Sequence, residues 1–84
     1  MQQVSLGSLI ITNPCLDTKK VGSIADDIRG GIIKLCDLFP LYVCCGEDGM
    51  YYINDGNSRV QAMRDVGISA EEVVYVEFYI KPDD

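Results

Sequence analysis

The sequence predicts an α+β fold: a small mixed β-sheet with helices packed on one face. Three observations predict it. An apolar stripe with the 3.6-residue helical period comes early, and two β-rich runs flank a glycine-bracketed turn in the middle. A short second helical pattern then leads into an alternating strand. With 84 residues there is room for one domain spanning 1–84 and one core, and the apolar fraction of 48% is normal for a packed globule.

Residues 4–6 and 9–12 lean toward β structure, interrupted by Gly7-Ser8. Asn13-Pro14 then forces a turn, because the residue before proline avoids the helical region. Val21, Ile24, Ala25 and Ile28 fall at i, i+3, i+4 and i+7, with Asp26, Asp27 and Arg29 off the stripe. Asp17 or Thr18 caps the start of that helix, and Gly30-Gly31 is its natural stop. Ile32 and Leu35 extend the stripe, so a kinked continuation toward Asp37 stays open beside the stop.

Pro40 opens the strand Leu41–Cys45, Gly46-Glu47-Asp48-Gly49 makes a turn, and residues 50–53 return as the antiparallel partner. A sharp bend at Asp55-Gly56 leads into the second helix, whose apolar face is Ala62, Met63 and Val66, with Gly67 ending it. Ser69 and Glu72 have capping-box spacing and predict a further helical turn. Val74, Val76, Phe78 and Ile80 alternate with Tyr75, Glu77 and Tyr79 as a half-buried strand, and Pro82-Asp83-Asp84 is a frayed tail. Both helices must cover one sheet face to bury their stripes.

The net charge of −6 is unevenly placed: residues 1–41 are balanced, whereas residues 42–84 carry three bases against nine acids. Such a surface repels phosphate backbones, so direct nucleic-acid binding is disfavoured unless a basic partner takes part. No apolar run is long enough to cross a bilayer, and Met1-Gln2-Gln3 lacks the basic start of a signal peptide, so a cytoplasmic chain with no membrane association is expected. Cys15, Cys36, Cys44 and Cys45 match no C-x-x-C pair and there is no histidine; the expectation is reduced, mostly buried thiols and no metal site. Asp26-Asp27 reads as a solvated helix face, Glu47-Asp48 as turn decoration, and the tyrosines and Phe78 as core and sheet surface.

The chemistry concentrates in Asp55-Gly56-Asn57-Ser58-Arg59. A strand that bends at glycine straight into a helix leaves first-turn N–H groups unpaired and places partial positive charge at an open corner. Gly56 permits close backbone approach, Asn57 and Ser58 can cap or donate, and the Arg59 fork can hold a phosphate or carboxylate in bidentate fashion. A cation at a helix N-terminus opposes the dipole, so Arg59 calls for an anion: either a ligand or Asp55 itself, and both can hold at once. Lys34 is a further phosphate-reaching candidate if the Gly30-Gly31 loop borders the same cleft.

Tyr51-Tyr52-Ile53-Asn54-Asp55-Gly56-Asn57-Ser58-Arg59-Val60-Gln61-Ala62, with Gly67 after the helix, resembles the second signature of the ParB/sulfiredoxin superfamily. That signature has an aromatic-rich strand, Gly-x-x-Arg-x-x-Ala, and a helix closed by glycine. Asn13-Pro14, the helix through Ile24 and Ile28, Gly30-Gly31 and Pro40 follow the same order, so the likeness covers residues 4–80. It implies a nucleotide or phosphate pocket built by residues 56–59, with Mg2+ accompanying a nucleotide as the one cofactor it brings.

Partition proteins of the ParB type match at Gly56, Arg59 and Ala62 but carry Glu and Arg where this chain has Asn57 and Ser58. The carboxylate for metal-assisted CTP hydrolysis is therefore missing, and centromere binding and clamp formation are not expected of these residues. Sulfiredoxins place a catalytic cysteine at the position of Asn57 and a histidine at that of Ser58; an amide cannot attack a sulfinic acid, so that activity is excluded. Free-serine kinases of the group share Asp55-Gly56 and Arg59 but not the histidine. Phosphoryl transfer or nucleotide hydrolysis is the chemistry implied, with no general base in the motif. Two other readings stand beside it: a non-enzymatic protein-interaction module on the same fold, and a DNA-binding or nuclease accessory. The edge strands of so small a sheet also admit a homodimer.

Overall fold

The computed structural model describes residues 2–79, so Ile80 and the Pro82-Asp83-Asp84 tail lie outside the described residues. The elements are β1 (Gln2–Ser5), β2 (Leu9–Ile10), α1 (Thr18–Arg29), β3 (Leu41–Cys45), β4 (Tyr51–Asp55), α2 (Asn57–Asp65) and β5 (Val73–Phe78). They build an α+β domain on a five-stranded mixed sheet ordered β1-β5-β3-β4-β2. The pairs β1·β5 and β3·β4 are antiparallel, and β3·β5 and β2·β4 are parallel.

Gly7-Ser8 does more than interrupt one strand. Leu6–Ser8 form a short 3-10 turn that carries the chain from one edge of the sheet to the other. Five strands laid flat would separate those edges by about 19 Å. The four steps from Ser5 to Leu9 cover only about 8 Å at the 3-10 rise. The sheet must therefore curl until its edges nearly meet. Leu6 and Gly7 N–H donate to the Glu72 and Ala70 carbonyls (2.9 and 2.8 Å), which ties the crossing segment to the loop before β5.

Curling wraps one face of the sheet around the core. Leu9, Leu41, Val43, Ile53, Val74 and Val76 point inward and meet Val60 and Met63 of α2, with Leu6 and Leu38 closing the ends. Each such side chain contributes about 1.5–3 kcal/mol by leaving water. The two helices touch through small residues: Val21 and Ala25 of α1 pack on Ala62 of α2, flanked by Ile24, Ile28 and Val66. Both helices thus lie on the inner face, and strand alternation leaves Tyr42, Tyr52 and Tyr75 on the outer one.

Local signals place the helix ends. The Asp17 carboxylate accepts from Lys19 and Lys20 N–H (3.0 and 3.4 Å), and α1 stops at Gly30 before Gly31 takes φ +71°. The stripe does not continue into a kinked helix: Leu35–Leu38 is a separate 3-10 turn and Ile32 is 75% exposed. A cis Phe39-Pro40 bond leads into β3. The capping-box spacing at Ser69 produces no helix either. The Ser69 carbonyl accepts from Glu72 N–H at 3.0 Å and its hydroxyl from Glu71 N–H, a tight turn that the following β-branched run pulls directly into β5.

The hairpin between β3 and β4 forms as predicted, although β4 runs to Asp55. Its Asp48 side chain accepts from Met50 N–H (2.9 Å) and from the Tyr52 hydroxyl (2.6 Å). The expectation of mostly buried thiols is overturned. Cys15 lies in a loop, Cys36 on a 3-10 turn and Cys45 at the strand end, all exposed, with Cys44 half-buried and all four free. No helix among the described residues is long and apolar enough to cross a membrane.

Candidate functional site

The register of β3 on β4 slips between Val43↔Ile53 and Tyr42↔Asp55, which makes Asn54 the extra residue of a bulge. A bulge bends its strand and re-aims side chains. Here it sits where the chain leaves the sheet: the Asn54 amide donates to Cys44 Sγ at 2.8 Å, and Asp55 Oδ2 meets Arg59 Nη2 of α2 at 3.3 Å. Gly56 follows with φ +113° and ψ 14°. A Cβ there would come within 2.6 Å of Leu41 Cδ2 and 3.2 Å of Arg59 Nη2. The dihedral and the space each require glycine.

Gly56 is also the N-cap of α2, and no side chain caps the helix. Val60 N–H finds the Gly56 carbonyl at 3.0 Å. Among the described residues the N–H groups of Asn57, Ser58 and Arg59 make no hydrogen bond. The expected capping role of Asn57 is not observed. Its side-chain oxygen accepts from Thr12 N–H (2.9 Å), and its amide donates to Thr12 Oγ1 (3.4 Å), so it ties the loop after β2 to α2.

Arg59 folds back over Gly56. Nη2 pairs with Asp55 Oδ2 at 3.3 Å, and Nη1 donates to the Leu38 and Pro40 carbonyls at 2.9 and 3.3 Å. The internal ion pair is therefore real, but it is partial. A guanidinium has five N–H donors, and these three bonds leave Nε–H and one Nη2 proton free for a further acceptor. The Asp55 side chain is 73% exposed and that of Arg59 25%, so the pair itself adds little stability.

These residues border a cavity of about 690 Å3, the size range of small-molecule sites. Asn54, Asp55, Gly56, Asn57, Ser58 and Arg59 form one wall. The opposite wall is Asn13, Lys20 and Ile24, from the loop before α1 and its first two turns, and Ile33, Asp37 and Leu38 close the third side. The structure thus brings together five of the six sequence-predicted site residues. Lys34 is the exception and stands outside the lining. Its N–H donates to Asp37 Oδ2 (2.9 Å), so the turn it begins presents Asp37 to the cavity in its place.

Lys20 and Asn13 are lining residues that motif reasoning passed over. The available signal was Asp17. As the N-cap of α1 it fixes where the first turn of that helix lies, and Ala25 packing on Ala62 lays the two helices side by side. Lys20 and Arg59 against Asp37 and Asp55 make the lining formally neutral, so the exposed N–H groups tip it toward anions. Among the described residues no three metal-ligating side chains converge. One or two carboxylates together with phosphate oxygens is the ordinary way Mg2+ is held, which Asp37 and Asp55 would suit.

The architecture defines an α+β domain with a polar cavity where the first turns of both helices meet. No family model matches the chain, and no curated protein or solved structure matches it.

Proposed function

We propose that this chain is a stand-alone domain of the ParB/sulfiredoxin type that binds a nucleotide or other phosphate-bearing small molecule against the first turn of α2. One observation carries the reading. Asn57, Ser58 and Arg59, whose main-chain N–H groups make no hydrogen bond among the described residues, border a cavity that Lys20 also lines. Oriented backbone donors with a guanidinium beside them match the tetrahedral array of phosphate oxygens. Arg59 acts as the clamp, pre-positioned by the Leu38 and Pro40 carbonyls so that little side-chain entropy is lost on binding. Asn57 holds the Thr12 segment, and the Ser58 hydroxyl is the side-chain donor beside the N–H row.

The test is an NMR titration of the labelled chain with nucleoside mono-, di- and triphosphates, with and without Mg2+. The Ser58 and Arg59 amides should shift, and Arg59→Met should abolish the shift while the fold persists. Unmoved Gly56, Asn57, Ser58 and Arg59 amides across the series would overturn the reading.

A further inference from the structure

Among the described residues the cations are confined to one layer, where Asp17, Asp26, Asp27, Asp37 and Asp65 accompany them. The six cations among the described residues, Lys19, Lys20, Arg29, Lys34, Arg59 and Arg64, lie on α1, α2 or the loop between α1 and β3, and none lies on a strand. The sheet carries Asp55 and Glu77, and acids flank it at Glu47 and Asp48 in the hairpin and at Glu71 and Glu72 before β5. Among the described residues no element covers its outer face, and Tyr42, Val73, Tyr75 and Tyr79 are 38%, 50%, 38% and 46% exposed.

At the Asn54 bulge this outer face is hollowed. A second cavity of about 470 Å3 is lined by Tyr42, Asn54, Asp55 and Tyr79. Glu77 stands in register with Tyr42 on the neighbouring strand. Two aromatic rings and a carboxylate around one concavity are elements that hold a guanidinium or ammonium group. The ring faces attract the cation, and Asp55, whose side chain is 73% exposed although one oxygen meets Arg59 Nη2 at 3.3 Å, supplies the ionic partner.

We propose that the outer sheet face docks a basic segment of another protein, with one arginine or lysine side chain seated between Tyr42 and Tyr79 against Asp55. Charge complementarity selects this occupant. A nucleic acid would meet only acids on the sheet. A second copy packed face to face would oppose like charges, which costs several kcal/mol across an interface. The exposed tyrosines and Val73 extend the contact beyond a single side chain, as a polypeptide needs and a free amine does not.

Titration of the labelled full chain with an Arg-Gly repeat peptide, a Lys-Gly counterpart and a Glu-Gly control decides the matter. The basic peptides should shift the Tyr42, Asn54 and Tyr79 amides, and added salt should weaken them. Tyr79→Ser should lower affinity about five- to tenfold, whereas Tyr79→Phe keeps it, since the ring carries the contact. If Tyr79→Ser fails to fold, Tyr42→Ser removes the other wall and should show the same loss. Absence of shifts, shifts confined to α1 and α2, equal binding of the Glu-Gly control, or a self-associated dimer that covers Tyr42 and Tyr79 would each overturn the proposal. Asn54 and Asp55 border both cavities, but Tyr42 and Tyr79 border only this one, so nucleotide binding read at Ser58 and Arg59 should survive Tyr79→Ser.

Discussion

The two ends of α2 each place an arginine on main-chain carbonyls, yet they do opposite work. At the C-terminal end Arg64 Nη2 donates to the Leu6 and Leu9 carbonyls at 3.2 and 2.7 Å. Those carbonyls bracket the 3-10 turn that joins the sheet's two edges, and the cation sits at the favourable end of the helix dipole. At the N-terminal end Arg59 grips the Leu38 and Pro40 carbonyls against the dipole, with Asp55 as a partial offset. One arginine completes a closed arrangement, whereas the other leaves donors facing a cavity. The same residue type on the same nine-residue helix therefore closes the structure at one end and, under the proposed function, serves recognition at the other.

The largest effect expected falls on the bend that creates this asymmetry. Gly56→Ala forces a side chain into positive φ and against Leu41, and should cost about 2–4 kcal/mol in urea unfolding from the backbone and overpacking terms together. If it costs less than 1 kcal/mol, the corner is not the fixed point that presents the N–H row.

Arg64→Met comes next. It leaves two part-buried carbonyls with one donor fewer and should lose about 2–3 kcal/mol, without changing nucleotide affinity. Arg59→Met should lose less stability, about 1–2 kcal/mol, because its removal also relieves the opposed dipole. It should nevertheless eliminate ligand-induced shifts at Ser58. Equal stability losses with no ligand effect in either variant would dissolve the contrast and leave two structural clamps.

This contrast also marks how far the sequence could be followed. The capped α1, the hairpin and the Gly56 bend are local events, written in Asp17, in the glycines around Asp48 and in Asp55-Gly56. The separation of β1 from β2 onto opposite edges was not legible. Gly7-Ser8 looks the same whether a strand pauses or changes edge, and only the closure of the whole sheet decides between them. Arg59 and Asp55 stand out in the sequence through chemistry at fixed spacing, and both border the cavity. Lys20 did not, because its place in the cavity depends on Ala25 packing against Ala62, a contact between distant segments. Lys34 failed for the converse reason. Its sequence neighbourhood pointed to the cleft, but the Leu35–Leu38 turn presents Asp37 there instead.

The smallest effect serves as the control for both ends of α2. The Tyr52 hydroxyl, followed by Met50 N–H, stabilises the Asp48 carboxylate and holds it below the ordinary aspartate value of 3.8, while the same bond raises Tyr52 above 10.0. A lowered carboxyl contributes stability above its unfolded value and loses it as pH falls through the folded one, so the acid limb should appear below about pH 4. The raised phenol works in the other direction: its contribution is intact below about pH 10 and disappears as pH rises through the folded value. Tyr52→Phe should flatten both limbs in thermal melts recorded from pH 2 to pH 11, with little change at pH 7. The limbs should persist in Arg59→Met and Arg64→Met, since neither arginine touches Asp48. Were Arg59→Met to erase the acid limb, the hairpin and the helix N-terminus would be coupled, and the recognition end could no longer be treated as independent of the scaffold.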